Sequence, residues 1–258
     1  LNGKFMTLLA SDNNISNLLL GDCLELHHTI EDNTVDMVLC DLPYGTTACK
    51  WDSIIPLDKL WKQYNRICKQ DGAMVFTAAQ PFTTVLASSN IKNFKYEWIW
   101  EKPQGTNPMN AKVMPLKSHE NILVFYRKKP TYNPQMWYST PYSGFKSDTA
   151  KIGEVYGEAQ SKHRDNPEGS RYPKTILKYK QEKGLHPTQK PVGLMEYLIK
   201  TYTNKGDTVL DSTMGSGTTG LACANTDRNF IGIESSPKYY HVAKDRIGSL
   251  SNPLTELF

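Results

Sequence analysis

Two short stretches carry residue types at spacings that could do chemistry. The first is Asp41-Leu-Pro-Tyr44, directly after the apolar run 35–40. An exocyclic amine on an aromatic base is a poor nucleophile because its lone pair is delocalised into the ring. Acceptors for its two protons let that lone pair point at an electrophile. The Asp41 carboxylate and a backbone carbonyl held by the rigid Pro43 would supply those acceptors, and the Tyr44 ring would stack on the base. Taken alone, the tetrapeptide also reads as a turn with a capping Asp and a packed Tyr. The second stretch is 208–220, in which Gly215, Gly217 and Gly220 satisfy G-x-G-x-x-G, with Glu234 at the end of the next apolar run. Such glycines allow close backbone approach, a helix N-terminus favours negative groups, and an acid at the next strand end bonds ribose hydroxyls. Several cofactors share this physics, and so does an ordinary tight strand-to-helix turn. Asp211 tilts the reading away from a dinucleotide, since it would repel a pyrophosphate but could hydrogen-bond an ammonium. Too little chain follows Gly220 to supply a second nucleotide half.

The elements that must position these stretches alternate. Apolar runs at 17–21 and 35–40 predict buried parallel strands joined by a helix over 23–30. Leu57, Leu60, Trp61, Tyr64, Ile67 and Cys68 have helical spacing, so 57–69 is expected as a helix and 73–78 as the third strand. Residues 96–100 and 121–126 are rich in branched and aromatic side chains and predict strands. Beyond an irregular region, a helix (192–204), a strand (208–211), a helix (218–225) and a strand (229–234) complete an open, doubly wound α/β sheet. Ligands bind such a sheet outside the C-terminal ends of its strands, so both stretches belong to one edge.

The chain has 258 residues, 39% hydrophobic and 22% charged, which excludes a disordered polymer. No apolar run approaches the ~18 residues of a membrane span, and residues 5–10 are too short for the apolar part of a signal peptide. A cytoplasmic protein with no membrane association is expected, with Met6 as its original start. Cys23, Cys40, Cys49, Cys68 and Cys223 are scattered without a C-x-x-C pair, so reduced thiols and no metal site are expected. Charge is unevenly placed. Residues 127–190 carry thirteen Lys/Arg against six Asp/Glu, while the remainder is net acidic. The same stretch holds Tyr132, Trp137, Tyr138, Tyr142, Phe145, Tyr156, Tyr172 and Tyr179, the pattern of a nucleic-acid surface or of a solvated basic loop. Arg127, Lys128 and Lys129 at its entrance are expected to meet phosphates.

In kind and order, Asp41-Leu-Pro-Tyr44, the basic stretch, His186-Pro-Thr-Gln-Lys-Pro191 and 211–217 resemble the β-class of amino-methylating DNA methyltransferases. The resemblance implies a Rossmann-like class I sheet dependent on S-adenosyl-L-methionine (AdoMet), circularly permuted. The catalytic half would be 6–126, the target recognition insertion 127–185, and the AdoMet-binding half 186–250. It assigns catalysis to Asp41, Pro43 and Tyr44. AdoMet would meet Asp211, Gly215 and Gly217, with Thr218 and Thr219 near its carboxylate and Glu234 at its ribose. Asp22 and Cys23 would meet its adenine, and Lys190 and Pro191 its methionine moiety. His186 reads as structural in this motif. The partner is DNA, and the base must flip to be reached. Asp at position 41 is similar to the adenine-N6 enzymes, where cytosine-N4 enzymes more often carry Ser. A homodimer and a cognate restriction endonuclease are left open. Trp51, Trp98 and Trp100 could wall the pocket or belong to the core. Two departures stand out: Leu42 replaces the usual Pro, and Ser212-Thr213 replace the usual Pro-Phe, removing an apolar contact to the cofactor. A nicotinamide oxidoreductase built on the glycines would leave Asp41-Leu-Pro-Tyr44 without a role. A catalytically inactive nucleic-acid module would leave Asp41, Asp211 and Glu234 unexplained.

Overall fold

The run Val-Asp-Met-Val-Leu-Cys at 35–40 is apolar at all positions but one, the composition of a strand covered on both faces. It forms the centre of the molecule in a computed structural model that describes residues 5–10, 15–46, 52–145, 163–182, 184 and 189–249. In chain order the elements begin β1 (Phe5–Ala10), β2 (Ile15–Leu20), α1 (Cys23–Leu26), β3 (Val35–Cys40), α2 (Leu57–Ile67) and β4 (Cys68–Ala78). They continue α3 (Phe82–Ser89), β5 (Phe94–Thr106), β6 (Lys117–Phe125), β7 (Trp137–Tyr138), β8 (Tyr142–Phe145), β9 (His163–Asn166) and β10 (Ser170–Arg171). The last are β11 (Ile176–Lys178), α4 (Val192–Tyr202), β12 (Thr208–Asp211), α5 (Thr218–Ala224), β13 (Asn229–Glu234) and α6 (Pro237–Gly248). The chain forms two compact units, one running to Asn133 and resuming at Thr175, the other Pro134–Lys174.

The larger unit holds one sheet in the order β1-β2-β13-β12-β3-β4-β6-β5-β11. From β2 to β4 the strands are parallel; β6 is antiparallel between β4 and β5, and β1 is an antiparallel edge. Side-chain alternation along β3 sends Met37 and Leu39 to the layer of α4, α5 and α6, and Val38 and Cys40 to the layer of α1, α2 and α3. In α2, Leu60, Trp61, Tyr64 and Ile67 fall on one face and are buried in that second layer. Because β12 is followed by α5 on one face and β3 by α2 on the other, the connections diverge between these two neighbouring strands. A crevice opens at their C-terminal ends.

The open, doubly wound α/β sheet is the one expected, with differences in detail. The helix expected over 23–30 is one α-turn followed by a 3-10 turn at His27–Thr29. Asp22 caps it, its Oδ1 accepting from the Leu24 N–H at 2.7 Å, and the Thr29 hydroxyl closes the end on the Leu26 carbonyl. The strands β5 and β6 extend well past the expected 96–100 and 121–126. Several elements carry weak periodicity and escape the sequence: β1, α3, α6 and the short strands β7 to β11. Of these, α6 matters most, because it packs behind the glycine turn.

Candidate active site

Four adjacent strand ends each present an acid: Asp22 after β2, Glu234 at the end of β13, Asp211 at the end of β12 and Asp41 after β3. All four line one cavity of about 590 Å³ within the larger unit. Acids this close favour hydroxyl, N–H and cationic partners, and the protein supplies them unequally along the row.

At the glycine turn, Asp211 is buried. Its Oδ1 accepts from the Thr213 N–H at 3.0 Å and its Oδ2 from the Thr219 hydroxyl at 2.6 Å. Among the described residues it has no cation within ion-pair distance. Burial, with Asp41 adding to it, pushes this carboxyl up to about 7 against the two hydrogen bonds. Glu234 spans the turn, accepting from the Gly215 N–H at 2.9 Å and the Ser236 N–H at 2.7 Å, and burial raises it too. Gly215, Thr218 and Thr219 line the cavity; Cys23 does so next to Asp22. Burial first, then Asp22, push the Cys23 thiol up to about 12, so it behaves as a small apolar side chain.

Gly217 differs in its reason. It adopts φ 77°, and a Cβ there would sit 2.9 Å from that of Ala243 and 3.2 Å from Ile247 Cδ1, both on α6. It does not line the cavity. The turn needs glycine at 217 for helix packing and backbone conformation, as Gly220 does against Ile247 and Phe230. Gly217→Leu is therefore expected to destabilise the fold by at least ~1–3 kcal/mol through overpacking. An unchanged melting temperature would contradict this.

At the other end, Asp41 is tightly held. Its Oδ1 accepts from the Tyr44 hydroxyl at 2.7 Å and the Thr77 hydroxyl at 2.5 Å, and its Oδ2 from Lys190 Nζ at 2.5 Å. Pro43 lies between them on the cavity wall, and the Tyr44 ring stacks on Phe82 with centroids 5.3 Å apart. Just beyond, the N–H groups of Gly45 and Thr46 both donate to the Asp52 carboxylate. Lys190 stands between two acids, with Glu120 3.4 Å away on the far side, and Glu120 in turn accepts from Lys102 at 2.5 Å. The result is an alternating row, Asp41, Lys190, Glu120, Lys102, whose lysines are 5% and 7% exposed. Burial alone would lower the Lys190 ammonium, but Asp41 and Glu120 outweigh it and hold it above its ordinary value. Burial alone would raise Glu120, yet Lys190 and Lys102 hold it below the usual carboxylate range. Pro191 is buried at the N-cap of α4 and fixes where Lys190 leaves the backbone.

The two ends are tied together by Ser212-Thr213. The Thr213 hydroxyl donates to the Asp41 carbonyl at 3.0 Å. Ser212 donates its N–H to Cys40 Sγ, and its hydroxyl lies 2.7 Å from His27 Nε2. Burial, then Arg66, lower His27 to about 4, so the ring is neutral and can share that hydrogen bond. Where the resembled family has an apolar pair, these hydroxyls fasten one loop to the other.

Sequence reasoning missed Thr77, Lys102, Glu120 and Thr213. The only hint was Glu120 at the start of the apolar run of β6, where a charge entering a buried strand demands a partner. Trp98 and Trp100 both belong to the buried core, and Trp100 also borders the cavity, with its indole N–H on the Tyr179 carbonyl and Lys102 Nζ 4.7 Å above its ring. Trp51, Cys49, Tyr156 and His186 lie outside the described residues. Arg127 corrects an expectation: it donates to the carbonyls of Asn65, Cys68 and Lys69, clamping the end of α2 to β4, and is not a free phosphate contact. The unit Pro134–Lys174 contains the short pairs β7·β10 and β8·β9. In it Arg171 lies over the Tyr142 ring and Lys174 over Trp137, while Tyr138 and Tyr172 are exposed.

A family model described as DNA methylase matches residues 35–245, which include both strand-end motifs. The chain is 27% identical to the Type II methyltransferase M2.MboI of Moraxella bovis, over 96% of this chain and 93% of that one. The crystal structure of the M1.HpyAVI-SAM complex superposes with a TM-score of 0.61 at 29% identity, covering 90% of this chain and 99% of that one. The PvuII cytosine-N4-specific DNA methyltransferase, at 17% identity and a TM-score of 0.66 over 96% and 89% of the two chains, shares the fold. With its Asp41 and Asp211 loops joined across one cavity and a family model spanning most of its length, the chain belongs to the DNA methylase family.

Proposed function

We propose that the protein transfers a methyl group from AdoMet to the N6 amine of an adenine flipped out of DNA. The observation that carries this reading is the single cavity shared by two loops, one ending in an acid with no cation at ion-pair distance among the described residues, the other in a positioned carboxylate. Asp211 suits the cofactor's ammonium as a countercharge. Glu234 suits the ribose hydroxyls, Asp22 and Cys23 the adenine ring, and Gly215, Thr218 and Thr219 the polar end of the methionine moiety. When bound, AdoMet supplies an electrophilic methyl group on a sulfonium.

The protein's own contribution is at the base. A carboxylate offers about four acceptor positions, and three on Asp41 are taken by Tyr44, Thr77 and Lys190. One remains for an amine N–H, and the three donors fix where it points. With a second acceptor from the backbone around Pro43, the amine lone pair is freed from the ring and the departing proton has somewhere to go. Lys190 keeps the carboxylate in place. An Asp at position 41 favours adenine over cytosine. The unit Pro134–Lys174, with exposed Tyr138 and Tyr172, is the proposed target recognition region.

Tritiated AdoMet incubated with duplex DNA and followed by nucleoside analysis should yield N6-methyladenine. N4-methylcytosine would overturn the choice of base, and no labelled nucleoside would overturn the activity.

A pH dependence follows from Asp211. A folded-state carboxyl raised to about 7 contributes stability to the ligand-free fold that is present below the ordinary carboxylate range and lost as pH rises through about 7. An ammonium needs the ionised form, so AdoMet affinity should change in the opposite sense, rising ~10-fold between about pH 6 and about pH 8. Calorimetry checks this, and Asp211→Asn should bind weakly with a flat profile.

A further inference from the structure

The hairpin of β5 and β6 runs out from the cavity wall into solvent. Trp100, Lys102 and Glu120 line the cavity. Beyond them, from Pro103 to His119, every residue except Thr106 and Asn107 is exposed. Because β5 runs parallel to β4 and β3, this arm leaves the sheet at the same edge as Asp41. Its tip is built, not slack. The Thr106 hydroxyl donates to the Lys117 carbonyl, Asn107 turns the chain at φ 66°, and the N–H groups of Val113 and Met114 both donate to the Asn110 carbonyl at 3.0 Å.

The tip's surface is chemically one-sided. Met109 is 94% and Val113 79% exposed, with Met114 and Leu116 beside them at 46% each. From Pro103 to His119 the titratable side chains are Lys112, Lys117 and His119, and none is acidic. Large apolar side chains gathered on one ordered loop mark a contact surface, because water gains by their removal. The absence of any acid indicates what makes the contact: a polyanion with an apolar interior. Stacked bases between phosphates have that composition. At ~3.3 Å per residue Met109, seven positions past Lys102, stands at most about 23 Å from it, within reach of the duplex that would deliver a base to the cavity.

We propose that this arm is a DNA wedge: Met109 and Val113 pack against bases at the target step as the target leaves the stack, while Lys112 and Lys117 meet the flanking phosphates. The proposal rests on the reading of the protein as a base-flipping DNA methyltransferase. Inserted apolar side chains offset unstacking, which costs a few kcal/mol, by covering ring faces that would otherwise meet water.

The test is the full-length Met109→Ser/Val113→Ser double variant on three DNAs of one sequence: an intact duplex, a duplex with an abasic site opposite the target base, and the single strand. The wedge predicts about a tenfold loss of kcat/KM on the intact duplex and a loss below about twofold on the other two, where the base is already released. AdoMet affinity should be unchanged. Separately, Lys112→Ala/Lys117→Ala should reduce the slope of log affinity against log salt on duplex DNA by about 0.9 per cation lost. Equal losses on all three DNAs, or no loss on the duplex, would overturn the wedge. So would a loss that accompanies dissociation of a dimer in sedimentation velocity, which would make a second copy of the chain the occupant. The base that the wild type methylates is read independently by nucleoside analysis. The three DNAs are built around that base, so an error in assigning adenine is distinguished from a failure of the wedge.

Discussion

Asp41→Asn should lower methyl transfer by at least ~10³-fold while AdoMet affinity stays within about twofold. The amide keeps the side chain's shape but supplies one acceptor oxygen in place of a carboxylate, while Tyr44, Thr77 and Lys190 all still donate toward it. No acceptor is left for the target amine. The cofactor end is held by other residues, with Thr213 contacting only the Asp41 backbone. Single-turnover methylation with bound AdoMet isolates the chemical step. A variant that turns over at the wild-type rate would remove Asp41 from the mechanism.

Glu120→Gln should cost ~3–5 kcal/mol of stability and most of the activity, although Glu120 belongs to neither motif. Lys102 and Lys190 are nearly buried and face Glu120 from opposite sides; Lys102 has no other ion-pair partner among the described residues. A neutral amide leaves Lys102 without an ion-pair partner among the described residues and removes one of the two acids that flank Lys190. For a domain of this size each kcal/mol shifts the melting temperature by roughly 2–4 °C. The double variant Glu120→Gln/Lys102→Met should recover part of the loss, because removing both partners of a buried pair is tolerated far better than removing one. The wild type carries a matching pH signature. Glu120 is held below its ordinary value, so its contribution is present above the usual carboxylate range and is lost as pH falls below it. A thermal melt of Glu120→Gln that overlays the wild type would show that the row of charges has no energetic role.

The doubly wound sheet was legible because β3, β12 and β13 are short apolar runs bounded by acids, and their length and flanking residues mark buried strands. The order of motifs along the chain was equally local, and so was their placement at strand ends. The arm of β5 and β6 was not legible, because Pro103, Gln104 and Gly105 read as loop when no sheet is there to extend them. Arg127 shows the same limit for charge: in sequence it is one of three clustered cations, and only the fold brings three carbonyls around it.

By itself, then, the sequence determined which acids and glycines stand at the strand ends and the edge of the sheet they share, since each follows from residues within one strand-turn unit. The tertiary structure decided what holds those groups. Lys190 reaches Asp41 from 149 positions away, and Thr213 spans 172 to the same loop. Contacts across such separations leave no periodic trace in the chain. They exist because β12 inserts beside β3, and because burial makes an unpaired charge so costly that Asp41, Lys190, Glu120 and Lys102 settle only as an alternating row.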